Sequence, residues 1–491
     1  MQSLIGNIGK STFFKPANLR FLSTAAQKFP SLIITANEYI PKGPYAERQA
    51  EFLKPDLNIV NKIDSVLKQK KIAVNAHFYM DAELQGVITA CKTPNGVFIA
   101  DSLAMADQCV KQVKSGFKSV AVLGVDFMSA NARAILDKEG FANVPVYKTS
   151  TRDIGCSLAE AAEKDVYKSF LLTEKKKAGN APIVNLIYIN TSLPSKAMAQ
   201  DIIPTISCTS ANVLRSVLQI AAQKPDCKIC YGPDSYMGNN LEVMLNHLKN
   251  QPDAEIKKYH PAHNQKSIAK LLTNFSYFKN GNCVVHHMFG DKVVKQIREN
   301  YDDAYITAHF EVPGPMFQLA MEKIQKNSGT VGSTSDILNF ILNKAKTTDE
   351  SFKVVLGTES GMITKLSQMI QKTLKEHGAK NQSVEVIFPV SSEAVTVSQN
   401  KKLGIVPGVQ AGEGCSTEGG CASCPYMKMN TIDGLLHVVE MLGDSGKAEE
   451  LKKYEVKNKV SADIVDKALK PIFAMRYFQK NKEFPEWAFQ S

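Results

Sequence analysis

No apolar run in this sequence reaches the roughly 18–20 residues that a membrane-spanning helix requires, so a membrane partner is not expected. Cysteine is sparse. Ten thiols in 491 residues, most of them isolated beside apolar runs, do not make a secreted disulfide scaffold and suit a reducing compartment. The positive balance, a formal net charge of +11, comes without a recognition helix or an RNP-like aromatic motif, so nucleic acid is not expected either. Lysines such as Lys175-Lys176-Lys177 read as a solvated face with mild attraction for anionic substrates. Acidic residues are missing from Met1 to Asn37, where Lys10, Lys15 and Arg20 alternate with Ser, Thr and apolar residues. That composition is typical of an organellar transit peptide, and a disordered N-terminus is the alternative. Arg20-Phe21-Leu22-Ser23 resembles a matrix-processing site, which predicts the mitochondrial matrix ahead of plastid or cytoplasm. On either reading, residues 1–37 stand outside the fold.

The length bounds the chain at about two to four domains. A pattern recurs along it. Apolar runs Ile72–Ala76, Ile183–Ile187 and Ala304–Ala308 end in His77-Phe78-Tyr79, Tyr188-Ile189-Asn190 and His309-Phe310-Glu311. Next come hydroxyl-bearing strand-to-helix turns: Asp101-Ser102, Thr209-Ser210 and Ser333-Thr334, which suit helix caps and anion binding. Then come glycine turns with an acid: Gly124-Val125-Asp126, Gly232-Pro233-Asp234 and Gly357-Thr358-Glu359. Each block closes in a cysteine loop, at Cys156, Cys283 and the group ending in Cys424.

Three copies of a β-α-β-α-β unit predict an α/β protein, with parallel sheets between helical layers arranged in pseudo-threefold symmetry around one central site. In such sheets ligands bind beyond the carboxyl ends of the strands. The expected division is residues 1–37 as leader, 45–156, 157–283 and 284–424 as repeats, and 425–491 as C-terminal helices. Lys164–Ala181 reads as a charged, exposed insertion, and Trp487 as an anchor for the tail.

The glycine-rich stretch from Gly414 to Pro425 carries Cys415, Cys421 and Cys424. A Cys-Pro exit is familiar from iron–sulfur ligand loops, while inert thiols or a redox pair Cys421-x-x-Cys424 are the alternatives. Cys156, Cys283 and one of this group would leave one iron of a cluster without a protein ligand, and such an iron is a Lewis acid. Unpaired Cys156 and Cys283 argue against zinc fingers. Cys91 and Cys109 read as core, Cys208 as lining a turn, and Cys227 and Cys230 as strand residues on opposite faces.

Together these stretches, with Gly281-Asn282-Cys283-Val284-Val285-His286 and Cys424-Pro425-Tyr426-Met427-Lys428-Met429-Asn430, resemble the quinolinate synthase family over about residues 70–440. Gly412-Glu413-Gly414-Cys415 looks like its plant-type branch. The resemblance implies three related α/β domains around a 4Fe–4S cluster, usually in a homodimer. It implies a transferase-type condensation of iminoaspartate with dihydroxyacetone phosphate to quinolinate, losing phosphate and two waters, in NAD biosynthesis. An iminoaspartate-producing aspartate oxidase or dehydrogenase and iron–sulfur assembly machinery are the implied partners. By motif, Cys156, Cys283 and Cys424 match the cluster ligands and Tyr79 the acid/base tyrosine. His77, Tyr188, Asn190, His309 and Glu311 match substrate-handling positions, with His77, Tyr188 and Glu311 joining Tyr79 in catalysis. Ser102, Ser210, Ser333 and Thr334 match hydroxyls for carboxylate or phosphate, and His286 lies near the cluster. Plant relatives carry an upstream sulfur-transfer domain for which this chain has no room. Glu418 breaks the bacterial Cys-x-x-Cys-x-x-Cys loop, leaving Cys424 intact. Another iron–sulfur hydro-lyase and a non-catalytic iron–sulfur carrier or sensor are the competing readings.

Overall fold

A computed structural model describes residues 28–378, 381–389, 424–457 and 459–490. Cys415, Cys421 and residues 1–27 lie outside the described residues. The strands are β1 (Ser31–Thr35) and β2 (Tyr39–Lys42), then β3 (Ile72–His77), β4 (Val97–Ala100), β5 (Ser119–Leu123) and β6 (Val146–Tyr147). They continue with β7 (Ile183–Tyr188), β8 (Thr205–Cys208), β9 (Lys228–Gly232) and β10 (Phe275–Tyr277). The last are β11 (Tyr305–His309), β12 (Gly329–Gly332), β13 (Phe352–Gly357) and β14 (Ser383–Ile387).

They form three sheets, ordered β4-β3-β5-β6, β8-β7-β9-β10 and β12-β11-β13-β14-β1-β2. The first four strands of each are parallel and follow the same order, second-first-third-fourth. The chain therefore runs one way from the first strand and then crosses back beyond it, which opens a crevice at the strands' carboxyl ends. The fourth strands were not legible in the sequence. Val146–Tyr147 and Phe275–Tyr277 are too short to show a period.

Burial explains the apolar runs. Every residue of β3 and of β5 is buried, because helices cover both faces of the sheet. Each fully buried aliphatic side chain contributes about 1.5–3 kcal/mol relative to exposure. Val74, Ala76, Leu123 and Leu84 pack with Ile63 and Leu67 of the helix Leu57–Lys70.

Part of the N-terminal stretch assigned to a leader belongs to the fold. β1 pairs antiparallel with β14, from Ser31 opposite Ile387 to Thr35 opposite Ser383, and turns back into β2. Leu32 and Ile34 are fully buried among Val354, Val386 and Leu366. A stretch free of acids is also what a buried strand looks like, so composition could not separate the two. The third sheet is consequently mixed, with antiparallel strands added at one edge.

Lys164–Ala181 is not an exposed insertion either. Its residues Asp165–Ala178 form a helix whose Tyr167 and Leu171 are fully buried beside Ile187 and Cys230. Its lysines face out along the opposite side, so the charge run hid the apolar stripe. At the C-terminus the helix Ala462–Asn481 packs on β8 and on the helix Leu193–Ile202. Trp487 does not anchor the tail; it stands exposed while Phe484, stacked on Phe478 at 4.4 Å, and Ala488 are buried. Among the described residues no helix is long and apolar enough to cross a membrane.

Leu32→Ala should lower stability by about 2–5 kcal/mol, the cost of an unfilled core site. A urea midpoint equal to that of the parent chain would mean that β1 is not part of the folded core.

Candidate active site

The three first strands end alike. The amide of Phe78 donates to Ala100 O, that of Ile189 to Cys208 O and that of Phe310 to Gly332 O, at 2.8–3.0 Å. These bonds extend each first strand's pairing by one residue and turn the next side chains out beyond the sheet edge. Tyr79 N–H then donates to His77 Nδ1 (3.1 Å), and Glu311 N–H to His309 Nδ1 (3.3 Å). With Nδ1 an acceptor, each neutral imidazole carries its proton on Nε2. One cavity collects the results. It is lined by His77, Tyr79, Ser102, Tyr188, Asn190, Ser210, His309, Glu311 and Thr334, with Asp101, Ile189 and Thr209. All three sheets contribute to it.

Hydrogen bonds cross between the sheets. Tyr79 Oη shares a bond of 2.7 Å with Thr334 Oγ1 and one of 3.4 Å with Thr358 Oγ1. The Tyr188 hydroxyl donates to Glu311 Oε1. The other carboxylate oxygen, Oε2, lies 3.1 Å from His286 Nδ1, and the His286 ring stacks on His309 at 4.6 Å. Burial alone would push the Glu311 carboxyl up. His286, His309 and the Tyr188 hydroxyl outweigh it and hold it at about 2, so it is ionised at neutral pH. Burial, aided by the Glu311 charge, raises both Tyr79 and Tyr188 well above an ordinary phenol. Burial lowers His77 to about 4 and His309 to about 3. The cavity thus sets one ionised carboxylate beside two phenols that keep their protons.

The cysteine loops lie against the same region. Cys156 begins the helix Ser157–Glu163, and the N–H groups of Ala159 and Leu158 point at its sulfur. The His286 ring nitrogen Nδ1 lies 3.4 Å from Cys283 Sγ, and the amides of Met427 and Tyr426 favour the Cys424 thiolate against the burial that raises it. The loops are tied to one another. Ser157 Oγ donates to Asn282 O (3.0 Å), and Asn430, fully buried, joins Gly124 O and the Thr149 hydroxyl. Gly281 permits one close approach, since a Cβ there would lie 2.3 Å from Pro233 O.

Burial raises all three thiols, Cys156 to about 11, and the charge of Cys424 opposes those of Cys156 and Cys283. Three free thiols, each with amide donors and mutually repelling as thiolates, fit a cationic thiolate-held centre such as an iron–sulfur cluster. Cys283, His286 and Glu311 also place ligand atoms within 4.8 Å of one another.

The cavity lining collects the residues singled out for catalysis and substrate handling apart from Ser333, and Cys156, Cys283 and Cys424 are not among its lining residues. The Ser333 hydroxyl caps the helix Thr334–Thr347, donating to Asp336 Oδ2 at 2.7 Å. Thr334 stands where Ser102 and Ser210 stand in the other units. In the first unit Asp101 does the corresponding capping, accepting the Ala104 amide, while in the second Asn212 ties back the turn by accepting the amide of Thr209. Thr358, which bridges Tyr79 and His286, was missed; its only signal was its place in the third glycine turn. Cys109, Cys208, Cys227 and Cys230 are buried free thiols away from this lining.

Comparison with known proteins follows the same lines. The family model described as Quinolinate synthetase A protein matches residues 61–476. A Nicotiana tabacum protein named "Quinolinate synthase, chloroplastic" is 48% identical, covering 93% of this chain and 65% of its own length. An Arabidopsis thaliana protein of the same name is 45% identical, covering 94% of this chain and 66% of its own length. A "Quinolinate synthase" of Methanocaldococcus jannaschii is 26% identical over 69% of this chain. The chain spans just under two thirds of the length of these plant relatives. Their printed location overturns the mitochondrial expectation drawn from residues 1–37 and points to the plastid instead. Transit peptides for the two organelles share a basic, hydroxyl-rich, acid-poor composition, so composition could not choose between them.

Acid should destabilise the fold through this site. His77 is held at about 4 against 6.5 when unfolded, so its contribution is intact above pH 6.5 and is lost as pH falls toward 4. The loss amounts to about 3 kcal/mol. Glu311 adds a loss of the same sign below its unfolded value of 4.5. His77→Gln should flatten the fall of the urea midpoint between pH 6.5 and 4; an unchanged slope would show that His77 is not held neutral.

Proposed function

This chain belongs to the quinolinate synthetase A family, and we propose on that premise that it condenses iminoaspartate with dihydroxyacetone phosphate to quinolinate, releasing phosphate and two waters. The observation that carries the proposal is the single cavity in which an ionised Glu311 faces protonated Tyr79 and Tyr188 beside three free thiols. Ring closure between a four-carbon imine and a three-carbon phosphate requires proton removal from carbon and proton delivery to departing oxygens. Glu311 is the acceptor in this reading, and the Tyr188 hydroxyl and His286 hold its carboxylate in place. Tyr79 delivers and recovers a proton at its phenolic oxygen, where Thr334 and Thr358 fix its direction.

The substrates are anions, and the cavity meets them with hydroxyls and amides rather than lysines. Ser102 and Thr334 stand at helix starts and Ser210 in the turn ahead of the helix Val213–Gln223, and the three orient carboxylate or phosphate. Asn190 and the Nε2–H groups of His77 and His309 complete the donor set. Ser333 supports this set through its cap and not by contact. Cys156, Cys283 and Cys424 would hold a 4Fe–4S cluster, which when bound supplies an iron with an open position as Lewis acid. Iminoaspartate reaches the enzyme from an aspartate oxidase or dehydrogenase, the cluster from iron–sulfur assembly machinery, and the plastid is the proposed compartment.

Anaerobically purified protein, supplied with iminoaspartate and dihydroxyacetone phosphate, should form quinolinate. Tyr79→Phe and Glu311→Gln should each lower kcat by about 10²–10⁴-fold, the usual weight of a general acid or base, with iron and sulfide content unchanged for Tyr79→Phe. Hydration of a simple hydroxy acid in place of quinolinate formation would favour another iron–sulfur hydro-lyase. Efficient cluster transfer with no turnover, indifferent to Tyr79→Phe, would favour a carrier.

A further inference from the structure

Each glycine turn after a third strand carries an acid, and each of these turns touches the cysteine loop of its own unit. In the first unit, Asp126 N–H donates to Ile154 O (2.9 Å) while Asp126 Oδ2 accepts the Ile154 N–H (3.1 Å), two residues ahead of Cys156. Lys148 steadies that carboxylate at 3.2 Å. In the second unit, Ser235 N–H donates to Gly281 O (2.6 Å), again two residues ahead of the thiol at Cys283, and the neighbouring Asp234 caps the helix that follows. In the third unit, Glu359 Oε1 accepts the N–H of Cys424 itself (3.0 Å) and that of Gly361 (3.3 Å). Glu359 is fully buried, and its Oε2 has no partner among the described residues.

The lengths of these acids follow from where the loops arrive. In the first unit the loop passes close to the turn, and an Asp reaches it. In the third unit the contact is made at the thiol-bearing residue, and the longer Glu spans the gap. A carboxylate that takes up the amide of a residue determines where that residue's Cα, and so its sulfur, can stand.

We propose that Glu359, and in the first unit Asp126, are positioning residues that set the Cys424 and Cys156 sulfurs in the geometry needed to receive and retain an iron–sulfur cluster. This rests on the iron–sulfur reading of the three thiols and adds to it. Neither residue lines the substrate cavity, so their effect is on cluster retention before it is on turnover.

Two Glu359 variants separate reach from acid chemistry. Glu359→Asp keeps the carboxyl group and shortens its reach by one methylene; Glu359→Gln keeps the reach and an acceptor oxygen and replaces the acid with an amide. In anaerobically reconstituted full-length protein challenged with a ferrous chelator, Glu359→Asp should lose iron about tenfold faster than the parent chain. Glu359→Gln should track the parent. Asp126→Ala repeats the test on the Cys156 loop, at a partly exposed position, should Glu359→Asp fail to fold. Asp64→Ala is the control: Asp64 also holds two backbone amides, those of Lys92 and Thr93, but beside Cys91 and not on the loops of Cys156, Cys283 or Cys424. It should lower Tm without changing iron loss. Parent-like retention in Glu359→Asp and Asp126→Ala, or equally fast loss in Asp64→Ala, would overturn the proposal. A parent chain that binds no iron at all would instead overturn the iron–sulfur reading beneath it.

Discussion

A buried carboxylate that stays charged constrains the whole centre of this protein. Glu311 is almost without solvent, and an isolated ion there would cost several kcal/mol. It is kept ionised because Tyr188 donates to one oxygen, His286 stands at the other, and His309 stacks against His286. Those partners come from different units of the chain. The second unit supplies Tyr188 and the segment after Cys283 supplies His286, while Tyr79 reaches across from the first to Thr334 of the third. The second and third units must therefore be docked correctly before the charge is tolerated, and burial, aided by that charge, keeps the phenols protonated. Assembly and reactivity share the same bonds.

The thiol side of the site uses weaker but more numerous ties. Burial and neighbouring acids keep the thiols protonated while amide N–H groups point at their sulfurs. Such an arrangement suits a positive centre that joins the three sulfurs. Asn430, Ser157 and the acidic glycine turns hold the loops together around that place. The substrate side, in contrast, is lined by hydroxyls, imidazoles and amides fixed by strand ends and helix starts.

The repeat was legible because parallel strands buried on both faces leave uninterrupted apolar runs, and because a run that stops at His, Tyr or Glu marks where the sheet edge meets a ligand. Three such stops in register made Tyr79, Tyr188 and Glu311 visible as candidates. The failures have equally local causes. β1 lay inside an acid-free stretch whose composition serves a leader as well as a strand. The helix Asp165–Ala178 hid an apolar stripe behind its lysines. Ser333 and Thr334 are adjacent hydroxyls, and only their directions tell the helix cap from the cavity wall.

The amino-acid sequence by itself determined the first three parallel strands of each sheet and the chemical types available at each strand end, since these follow from local periodicity and side-chain chemistry. Tertiary structure alone decided which of those side chains face one another, which oxygen of Glu311 meets Tyr188 and which meets His286, and that Thr358 and Glu359 of one turn serve different sides of the site. The reason is physical: ionisation states and hydrogen-bond partners are properties of distances between residues far apart in the chain, and no local pattern encodes a distance.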